Sequence, residues 1–294
     1  MRILIAAAVW VLAAQAASVQ PIPLGLDTYR PTPADNPLTA EGIDAGRRLF
    51  FDRRLSRDES ISCASCHDPE AAFSDGRATA VGVGGRIGSR SSPALINLAY
   101  ATRLFWDGRP LTLEQQVLMP IANPLEMDLD VATAAQRVGL TSSALARALA
   151  SYVRSILSAN SRFDQFVAGG RTALTADEQA GLELFRGKAR CTTCHVGPTL
   201  SDDRVHNTGI AWRDGRLADV GAGAGKFKTP TLREITRTAP YMHDGSISSL
   251  NEVLDYYDSG GRQNPWLDPE IKSLHLTLAE KRAIITFLKA LNSN

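Results

Sequence analysis

Apolar residues recur at helical spacing along most of the chain. Where apolar side chains fall at every third or fourth position they form one face of an amphipathic helix, whereas strict alternation would indicate a strand. Segments with helical spacing lie at about 39–52, 113–119, 130–138, 142–157, 175–187, 249–257 and 277–291. No segment alternates clearly enough to predict a ladder of strands. The pattern therefore predicts an all-α fold.

Two of the predicted helices carry an additional start signal. Thr175 with Glu178, and Thr277 with Glu280, have the Ser/Thr-x-x-Glu spacing of a capping box. In this arrangement each of the two side chains accepts a hydrogen bond from a backbone N–H group that the helix leaves free. We expect helices to begin directly after both threonines.

Two stretches of the chain resemble each other. Leu38–Phe50 and Leu174–Phe185 both begin with Leu-Thr-Ala and an acidic residue, and both end with Leu-Phe. Such repetition indicates an internally duplicated chain. The sequence Ala-Gly-Gly-Arg at 168–171 has the composition of a linker. We therefore expect an N-terminal domain over 18–165 and a C-terminal domain over 166–294.

The first residues have the pattern of an export signal. Arg2 precedes an apolar run from Ile3 to Ala14, and Ala14-Gln15-Ala16 fits an A-x-A cleavage site. A membrane anchor is the alternative, but the run is shorter than the roughly 20 residues that a spanning helix needs. Residues 1–17 are therefore predicted to be a signal peptide, and the mature chain to be periplasmic without a membrane span.

The charge of the chain is nearly balanced. Its 294 residues include 32 Lys and Arg and 31 Asp and Glu. This balance gives no broad attraction to nucleic acid or to an anionic membrane surface. Neither is expected as a partner.

The four cysteines occur in two motifs of the form Cys-x-x-Cys-His. Two thiols one helical turn apart can each bond to a vinyl group of a haem, while the histidine presents its imidazole to the iron. The alternatives are a disulfide in each pair, a zinc ion shared by all four thiolates or a thioredoxin-type site, none of which requires that histidine. The motif residues are Cys63, Cys66, His67, Cys191, Cys194 and His195. We predict two covalently bound haem c groups.

Further motifs lie outside the haem sites. They are Phe105–Arg109, Glu114–Gln116, Pro120–Met127, Thr229–Arg233 and Thr238–Gly245. In content and order they resemble the bacterial dihaem cytochrome c peroxidases and their MauG relatives. The resemblance implies two cytochrome c-like helical domains, with an N-terminal haem that meets hydrogen peroxide and a C-terminal haem that exchanges electrons. Two glycine-rich loops, Val81–Gly88 and Val220–Gly225, are long enough to wrap the haems.

The resemblance implies roles for four residues. Trp106 matches the tryptophan between the two haems, where an indole shortens the path of an electron; a buried core tryptophan is the alternative. Glu126 matches the distal acid that moves a proton between the oxygens of peroxide; a solvated surface glutamate is the alternative. Gln116 and Pro120 match further positions of the distal pocket, although apolar packing would explain the proline equally well.

One residue departs from the peroxidase pattern at the N-terminal haem. Typical dihaem peroxidases have a histidine in the loop after the first haem motif, which caps the iron until reduction removes it. Val83 aligns with that histidine and cannot ligate iron. We therefore expect a five-coordinate haem that is open to peroxide without reductive activation.

A second departure concerns the axial ligand of the C-terminal haem. Tyr257 lies fourteen residues after His243, where typical members have methionine and MauG-like proteins have tyrosine. Tyrosinate ligation stabilises high-valent iron and lowers the reduction potential. Met242, His206, His243 and Tyr256 are alternative ligands. Tyr256 and Tyr257 cannot both face the iron, because adjacent helical residues point about 100° apart.

The family also binds a calcium ion between the haems. The resemblance places two backbone ligands at Thr238 and Pro240, and it places Ser91 where the family has asparagine. Oxygen ligands suit calcium, but a hydroxyl is a weaker partner than an amide carbonyl. One calcium ion is therefore a candidate cofactor.

The sequence thus predicts a periplasmic dihaem oxidoreductase that reacts with hydrogen peroxide and oxidises a partner. That partner would be a small cytochrome c or a cupredoxin, as in the peroxidases, or a protein side chain modified in place, as in MauG. Two other classes stay open. One is a dihaem electron-transfer cytochrome without peroxidase activity, and the other is a haem protein that senses or stores a ligand.

Overall fold

The computed structural model describes residues 19–109 and 112–293. This part of the chain forms nine α-helices joined by long irregular segments and 3-10 turns. The helices are α1 (Ala40–Phe50), α2 (Leu113–Gln116), α3 (Met119–Ala122), α4 (Val131–Arg137), α5 (Ser142–Ser155), α6 (Arg162–Val167), α7 (Ala176–Arg186), α8 (Leu250–Asp258) and α9 (Leu278–Lys289). The predicted signal peptide, residues 1–17, lies outside the described residues.

The helices agree with the periodicity of the sequence. Each predicted segment contains an α-helix, and both predicted capping boxes are present, at the starts of α7 and α9. The sequence did not predict α3 or α6, which have 4 and 6 residues and are too short for a period of 3.6 residues to repeat clearly. Across the described ranges, no helix has a non-polar stretch of the length needed to span a lipid bilayer.

The duplication seen in the sequence is repeated in the packing of two helix pairs. Helix α1 packs along α5, and α7 packs along α9. A glycine lies at each crossing: a Cβ atom at Gly46 would overlap the carbonyl group of Ala148, and one at Gly181 would overlap that of Ala283. The missing side chains therefore allow the two helices of each pair to approach closely.

The two helix pairs organise two hydrophobic clusters. Phe50 belongs to the cluster around α1 and α5, and Phe287 to the cluster around α7 and α9. The predicted division between residues 165 and 166 falls inside α6. Phe163 and Phe166 of this helix pack against the second cluster, so α6 packs with the C-terminal part of the chain.

The C-terminal part contains four short strands, although the sequence predicted none. They are β1 (Val205–His206), β2 (Trp212–Arg213), β3 (Arg216–Leu217) and β4 (Phe227–Lys228). β1 pairs with β4 and β2 with β3, both antiparallel. Strands of two residues are too short to show an alternating pattern. The regular secondary structure is therefore mainly helical, with little strand.

The two glycine-rich loops lie beside different parts of the fold. The Sγ atom of Cys66 is 3.9 Å from the carbonyl oxygen of Val81, so the loop Val81–Gly88 lies against the first haem motif. The loop Val220–Gly225 is held by Asn207, whose side-chain amide donates to the carbonyl oxygen of Ala224 at 2.6 Å.

Candidate functional site

The two Cys-x-x-Cys-His motifs have the same local structure. In each, the first cysteine opens a 3-10 turn, and the N–H of the histidine donates to the carbonyl oxygen of that cysteine. Nδ1 of His67 lies 3.0 Å from the carbonyl oxygen of Phe73, and Nδ1 of His195 lies 3.0 Å from that of Leu200. Because a carbonyl can only accept, each Nδ1 carries the proton of the neutral ring, and the lone pair lies on Nε2. Burial lowers the pKa of both imidazoles, which favours the neutral form that ligates metals.

The four cysteines are free thiols at partly buried positions. Burial raises the pKa of Cys63 and Cys191 to about 12 and that of Cys66 to about 11. A thioredoxin-type pair would instead have a lowered pKa and a reactive thiolate. Within the described ranges, the four cysteines do not converge on a shared metal site. The structure therefore favours neither the thioredoxin-type nor the zinc alternative.

A cavity of about 320 Å³ opens beside the second motif. Its walls carry paired thiols, an imidazole, a phenol and apolar side chains. The residues that line it include Cys191, Cys194, His195, Tyr257, Ile210 and Leu254. Two thiols and a neutral imidazole on an apolar wall are the groups that attach and ligate a c-type haem, so the donor set fits this group.

The two neighbouring tyrosines of α8 point to different surroundings. The Tyr256 hydroxyl donates to the carbonyl oxygen of Thr208 at 2.8 Å and accepts from the backbone N–H of Arg262 at 3.2 Å. Tyr257 lines the cavity, and burial raises the pKa of its phenol. The Tyr256 hydroxyl is thus held by two backbone groups, while Tyr257, which has a hydrogen bond with the Thr208 side chain, lines the cavity beside the second motif.

Both ring nitrogens of His206 are occupied by hydrogen bonds. Nε2 lies 2.8 Å from a carboxylate oxygen of Asp202, and Nδ1 lies 2.6 Å from one of Asp268. Hydrogen bonds to the sulfur of Cys194 and to these two carboxylates raise the pKa of His206 to about 10. An imidazolium held in this way has no lone pair for a metal ion.

His243 and Met242 also line the cavity. The His243 ring stacks on Phe227 with 3.6 Å between ring centroids and 15° between planes. Burial lowers the pKa of His243 to about 4, so the ring is neutral near pH 7. Both residues therefore lie in the cavity wall with Tyr257.

Glu126 lies near the first motif as a largely enclosed carboxylate. Its charge acts on both Cys63 and Cys66, and its side chain accepts a hydrogen bond of 2.6 Å from the amide of Asn123. Burial raises the pKa of Glu126, although the bond from Asn123 and the charge of Arg109 act in the opposite direction. A carboxylate with a raised pKa is suited to both accept and release a proton.

Val83 is completely buried and contacts the same segment. Its N–H donates to the carbonyl oxygen of Glu126 at 2.8 Å. The preceding Gly82 packs against the carbonyls of Leu125 and Glu126, where a Cβ atom would overlap them. The loop after the first motif therefore places a side chain without metal-binding atoms next to the Glu126 segment.

Gln116 and Pro120 belong to the two short helices that precede Glu126. Gln116 ends α2 and Pro120 lies in the first turn of α3; both are partly buried. The carbonyl oxygen of Pro120 accepts a hydrogen bond of 3.1 Å from the N–H of Met127. This bond holds the end of the Glu126 segment against α3.

Trp106 joins segments from both halves of the chain. Its indole N–H donates to the carbonyl oxygen of Ser91 at 2.8 Å, and its own carbonyl accepts from the N–H of Lys228 at 2.7 Å. The N–H of Ser91 donates in turn to the carbonyl oxygen of His243 at 2.7 Å. Trp106 also lines the cavity beside the second motif, so it lies at the junction and not inside either hydrophobic cluster.

Sequence reasoning missed an ionic cluster next to Trp106. Arg90 binds Asp219 through two nitrogens, at 2.7 and 2.9 Å, and binds Asp107 at 2.6 Å. Its guanidinium also lies over the ring of Phe227, 5.5 Å from the centroid. Arg90 and Asp219 are 129 residues apart, so no local motif could have paired them. The adjacency of Asp107 to Trp106 was the one signal available.

The residues matched to the calcium site also meet at the cavity. Ser91, Thr238 and Pro240 all line it. The carbonyl oxygen of Ser91 already accepts from the indole of Trp106, and the Thr238 hydroxyl donates to the carbonyl oxygen of Ile235 at 3.2 Å. The structure therefore brings the three residues to one wall.

Comparison with known proteins gives consistent results. The family profile of the di-haem cytochrome c peroxidases matches residues 40–142. The chain is 38% identical to methylamine utilization protein MauG of Methylorubrum extorquens over 287 residues, which cover 90% of this chain and 81% of the relative. It is 34% identical to cytochrome-c peroxidase IdrP1 of Denitromonas iodatirespirans, with 92% of this chain and 86% of the relative covered.

A solved structure has the same fold. It is a MauG-like protein associated with microbial copper homeostasis, with a TM-score of 0.83 and 31% identity over 96% of this chain and 95% of that one. Sequence identity along nearly the whole chain, the family profile and the shared fold agree. The chain belongs to the di-haem cytochrome c peroxidase and MauG family of oxidoreductases.

Proposed function

We propose that this protein reduces hydrogen peroxide at its N-terminal haem and oxidises a partner protein through its C-terminal haem. The observation that supports this most directly is the contact between Val83 and Glu126. Through this contact, two residues lie together beside the first motif: Glu126, a carboxylate whose pKa is raised, and Val83, whose side chain cannot ligate iron.

The cofactors we propose are two haem c groups. Cys63 and Cys66 would attach the first and Cys191 and Cys194 the second, each through thioether bonds. The Nε2 atoms of His67 and His195 would ligate the two irons, because their Nδ1 atoms are already bonded to carbonyl oxygens. Tyr257 would be the second axial ligand of the C-terminal iron. When bound, the haems supply the iron chemistry that breaks the O–O bond and takes up the oxidising equivalents.

Glu126 would move the proton that peroxide reduction requires. Breaking the O–O bond to form water needs a proton at the outer oxygen, and that proton comes from the inner one. A carboxylate within reach of both oxygens accepts the first proton and then donates it. Asn123 orients Glu126 for this task, while Gln116 and Pro120 shape the pocket around it.

Trp106 would carry electrons between the two sites. Its position at the junction, with hydrogen bonds to Ser91 and Lys228, supports this role. Its indole offers a delocalised π-system, through which an electron passes more readily than through saturated parts of the protein. A tyrosinate ligand at Tyr257 would lower the potential of the C-terminal iron and so favour the storage of oxidising equivalents.

Several further assignments are proposed on the same basis. The N-terminal haem would belong to a domain over residues 18–165 and the C-terminal haem to one over 166–294, each enclosed by its long loops. Thr238 and Pro240 would bind a calcium ion through their carbonyl oxygens, with Ser91 nearby. The protein would act in the periplasm after removal of its signal peptide.

The partner would be a protein. A small cytochrome c or a cupredoxin would supply electrons in a peroxidase cycle, and a side chain of a protein substrate would supply them in a MauG-like reaction. The tyrosine at position 257 favours the second kind, because a low-potential iron is a poor acceptor from a high-potential donor. Mass spectrometry of candidate periplasmic proteins, after incubation with the enzyme and peroxide, separates the two.

Addition of hydrogen peroxide to the diferric protein tests the proposal. We expect a rapid change in the haem spectrum, and we expect it to be lost or strongly slowed in Glu126→Gln, which keeps the shape of the side chain but cannot accept the proton. Glu183→Gln, at a side chain that is 76% exposed on α7, is the matched control. An inert wild type, or an equally fast Glu126→Gln variant, would leave an electron-transfer cytochrome as the better account.

A further inference from the structure

Arg90 links the segment before Trp106 to the C-terminal part of the chain. Its three hydrogen bonds go to Asp107 on one side and to both carboxylate oxygens of Asp219 on the other. The Asp107 side chain is 7% exposed and that of Asp219 18%, so water screens these bonds only partly. Bidentate Arg–carboxylate pairs of this kind fix the orientation of both partners.

Arg90 is connected to Trp106 through two neighbouring residues. Asp107, which Arg90 binds, is the next residue after Trp106. Ser91, which accepts the hydrogen bond of the indole, is the next residue after Arg90. A displacement of Arg90 therefore moves both the backbone that carries Trp106 and the oxygen that orients its ring.

The cluster also reaches the wall of the C-terminal cavity. The guanidinium of Arg90 lies over the ring of Phe227, and the ring of His243 stacks on the same Phe227. His243 is bonded through its carbonyl oxygen to the N–H of Ser91. Contacts through Phe227 and His243 thus connect Arg90 and Ser91 to the wall of the cavity beside the second motif.

We infer that Arg90 is a positioning residue for Trp106 and thereby controls the rate of electron transfer between the two haem sites. This inference rests on the proposed function. Hydrogen peroxide is the oxidant, and it takes up two electrons and two protons to form two waters. Each electron that Trp106 passes toward the N-terminal site is replaced by one from the C-terminal site, so the indole ends each transfer unchanged.

Arg90→Lys is the most informative variant. Lysine keeps the positive charge but lacks the planar fork that binds Asp219 and Asp107 at once. Arg237→Lys is the matched control, because Arg237 also joins the two halves of the chain, through a bond of 2.9 Å to the carbonyl oxygen of Glu70. The described contacts of Arg237 do not include the Trp106 segment.

The experiment mixes the diferric holoprotein with one equivalent of peroxide and freezes samples at successive times. Electron paramagnetic resonance then follows the two haems separately. In Arg90→Lys we expect the N-terminal haem to react at the wild-type rate and the C-terminal haem to respond at least about tenfold more slowly, because small misplacements of reacting groups cost one to two orders of magnitude in rate. Arg237→Lys should behave like the wild type.

A second readout does not depend on turnover. Ultraviolet resonance Raman difference spectra of the resting proteins, taken against Trp106→Phe to remove the bands of the other tryptophans, report the hydrogen bond of the Trp106 indole, which we expect to weaken in Arg90→Lys and not in Arg237→Lys. Unchanged transfer and an unchanged indole band in Arg90→Lys would overturn the inference. If the response of the C-terminal haem slows equally in both variants, the inference also fails, because any contact between the two halves would then have the same effect. If the wild type does not react with peroxide, the proposed function fails, and the Raman comparison still decides the role of Arg90.

Discussion

The backbone N–H of Val83 donates a 2.8 Å hydrogen bond to the carbonyl oxygen of Glu126. This bond fixes the loop that follows the first haem motif against the segment that carries the candidate acid. The resemblance to the dihaem peroxidases places Val83 where those proteins have a histidine that caps the iron. Under the proposed function, this buried valine would leave the sixth position of the N-terminal iron open.

Val83→His should therefore close the N-terminal site. We expect the ferric haem to become low-spin and its reaction with peroxide to slow by about two orders of magnitude or more, with activity returning after partial reduction. Stopped-flow spectroscopy measures both effects. Val83→Leu is the control, since leucine adds bulk but no ligand. If the histidine variant stays high-spin and reactive, position 83 does not face the iron.

The reaction with peroxide should depend on the ionisation of Glu126. The base form is needed to accept the first proton, and burial raises the pKa of this carboxyl. The second-order rate constant should therefore fall as the pH drops through this raised pKa, with an inflection above the value of about 4.3 for an exposed glutamate. Rates measured between pH 4 and 8 check this. Glu126→Gln should be slow and should lack the inflection; the same inflection in that variant would assign it to another group.

Tyr257 should determine the reduction potential of the C-terminal haem. Tyr257→Met should raise the potential, because thioether ligation favours ferrous iron more than tyrosinate does. Tyr257→Phe should leave that iron without its sixth ligand and make it high-spin. Redox titration and electron paramagnetic resonance measure the two changes. Tyr256→Phe, which removes the hydrogen bonds of the neighbouring phenol with Thr208 and Arg262, is the control, and an effect as large as that of Tyr257→Phe would reverse the ligand assignment.

The buried pair Arg233–Asp164 should contribute strongly to stability. Both side chains are at most 3% exposed, and Asp164 receives hydrogen bonds of 2.7 and 2.8 Å from the guanidinium. Asp164→Asn should destabilise the holoprotein by about 3–5 kcal/mol, because it leaves a buried charge without its partner. Asp44→Asn, which breaks an exposed pair with Arg48, should cost no more than about 0.5 kcal/mol. Urea denaturation measures both.

The same pair predicts how stability depends on pH. Burial alone would raise the pKa of Asp164, but hydrogen bonds and charge from Arg233, together with Ser161, outweigh it and lower the pKa. A lowered folded-state pKa stabilises the fold above the unfolded value of about 3.9. This contribution should disappear as the pH falls through the lowered pKa of Asp164. Asp164→Asn should show a flatter loss of stability in acid than the wild type; parallel curves would contradict the assignment.

The sequence predicted the parts of the fold that depend on neighbouring residues. Capping boxes such as Thr175 with Glu178 act over three positions, so they are visible in the sequence and present in the structure. Helix α6 was missed because it is only 6 residues long and because its capping pair, Ser161 and Asp164, has aspartate where the capping-box pattern has glutamate or glutamine. Its aromatic residues pack against the second cluster. The linker-like composition of residues 168–171 does not show that the preceding helix packs with the C-terminal part of the chain.

The candidate site also combines local motifs, which the sequence shows, with long-range contacts, which it does not. The haem motifs are local, and the sequence identified them from residues at most four positions apart. The resemblance to known peroxidases supplied Trp106 and Glu126. The pairing of Arg90 with Asp219 across 129 residues, and that of His206 with Asp268 across 62, exist only in the folded chain. Local sequence patterns contain no information on which distant carboxylate a given cation will meet.

Low-temperature electron paramagnetic resonance of the diferric holoprotein shows whether the N-terminal iron has an open sixth position. We expect one high-spin ferric signal from the N-terminal haem and one low-spin signal from the C-terminal haem, bound by His195 and Tyr257. Two low-spin signals would contradict this expectation, because both irons would then be fully ligated and neither could bind peroxide.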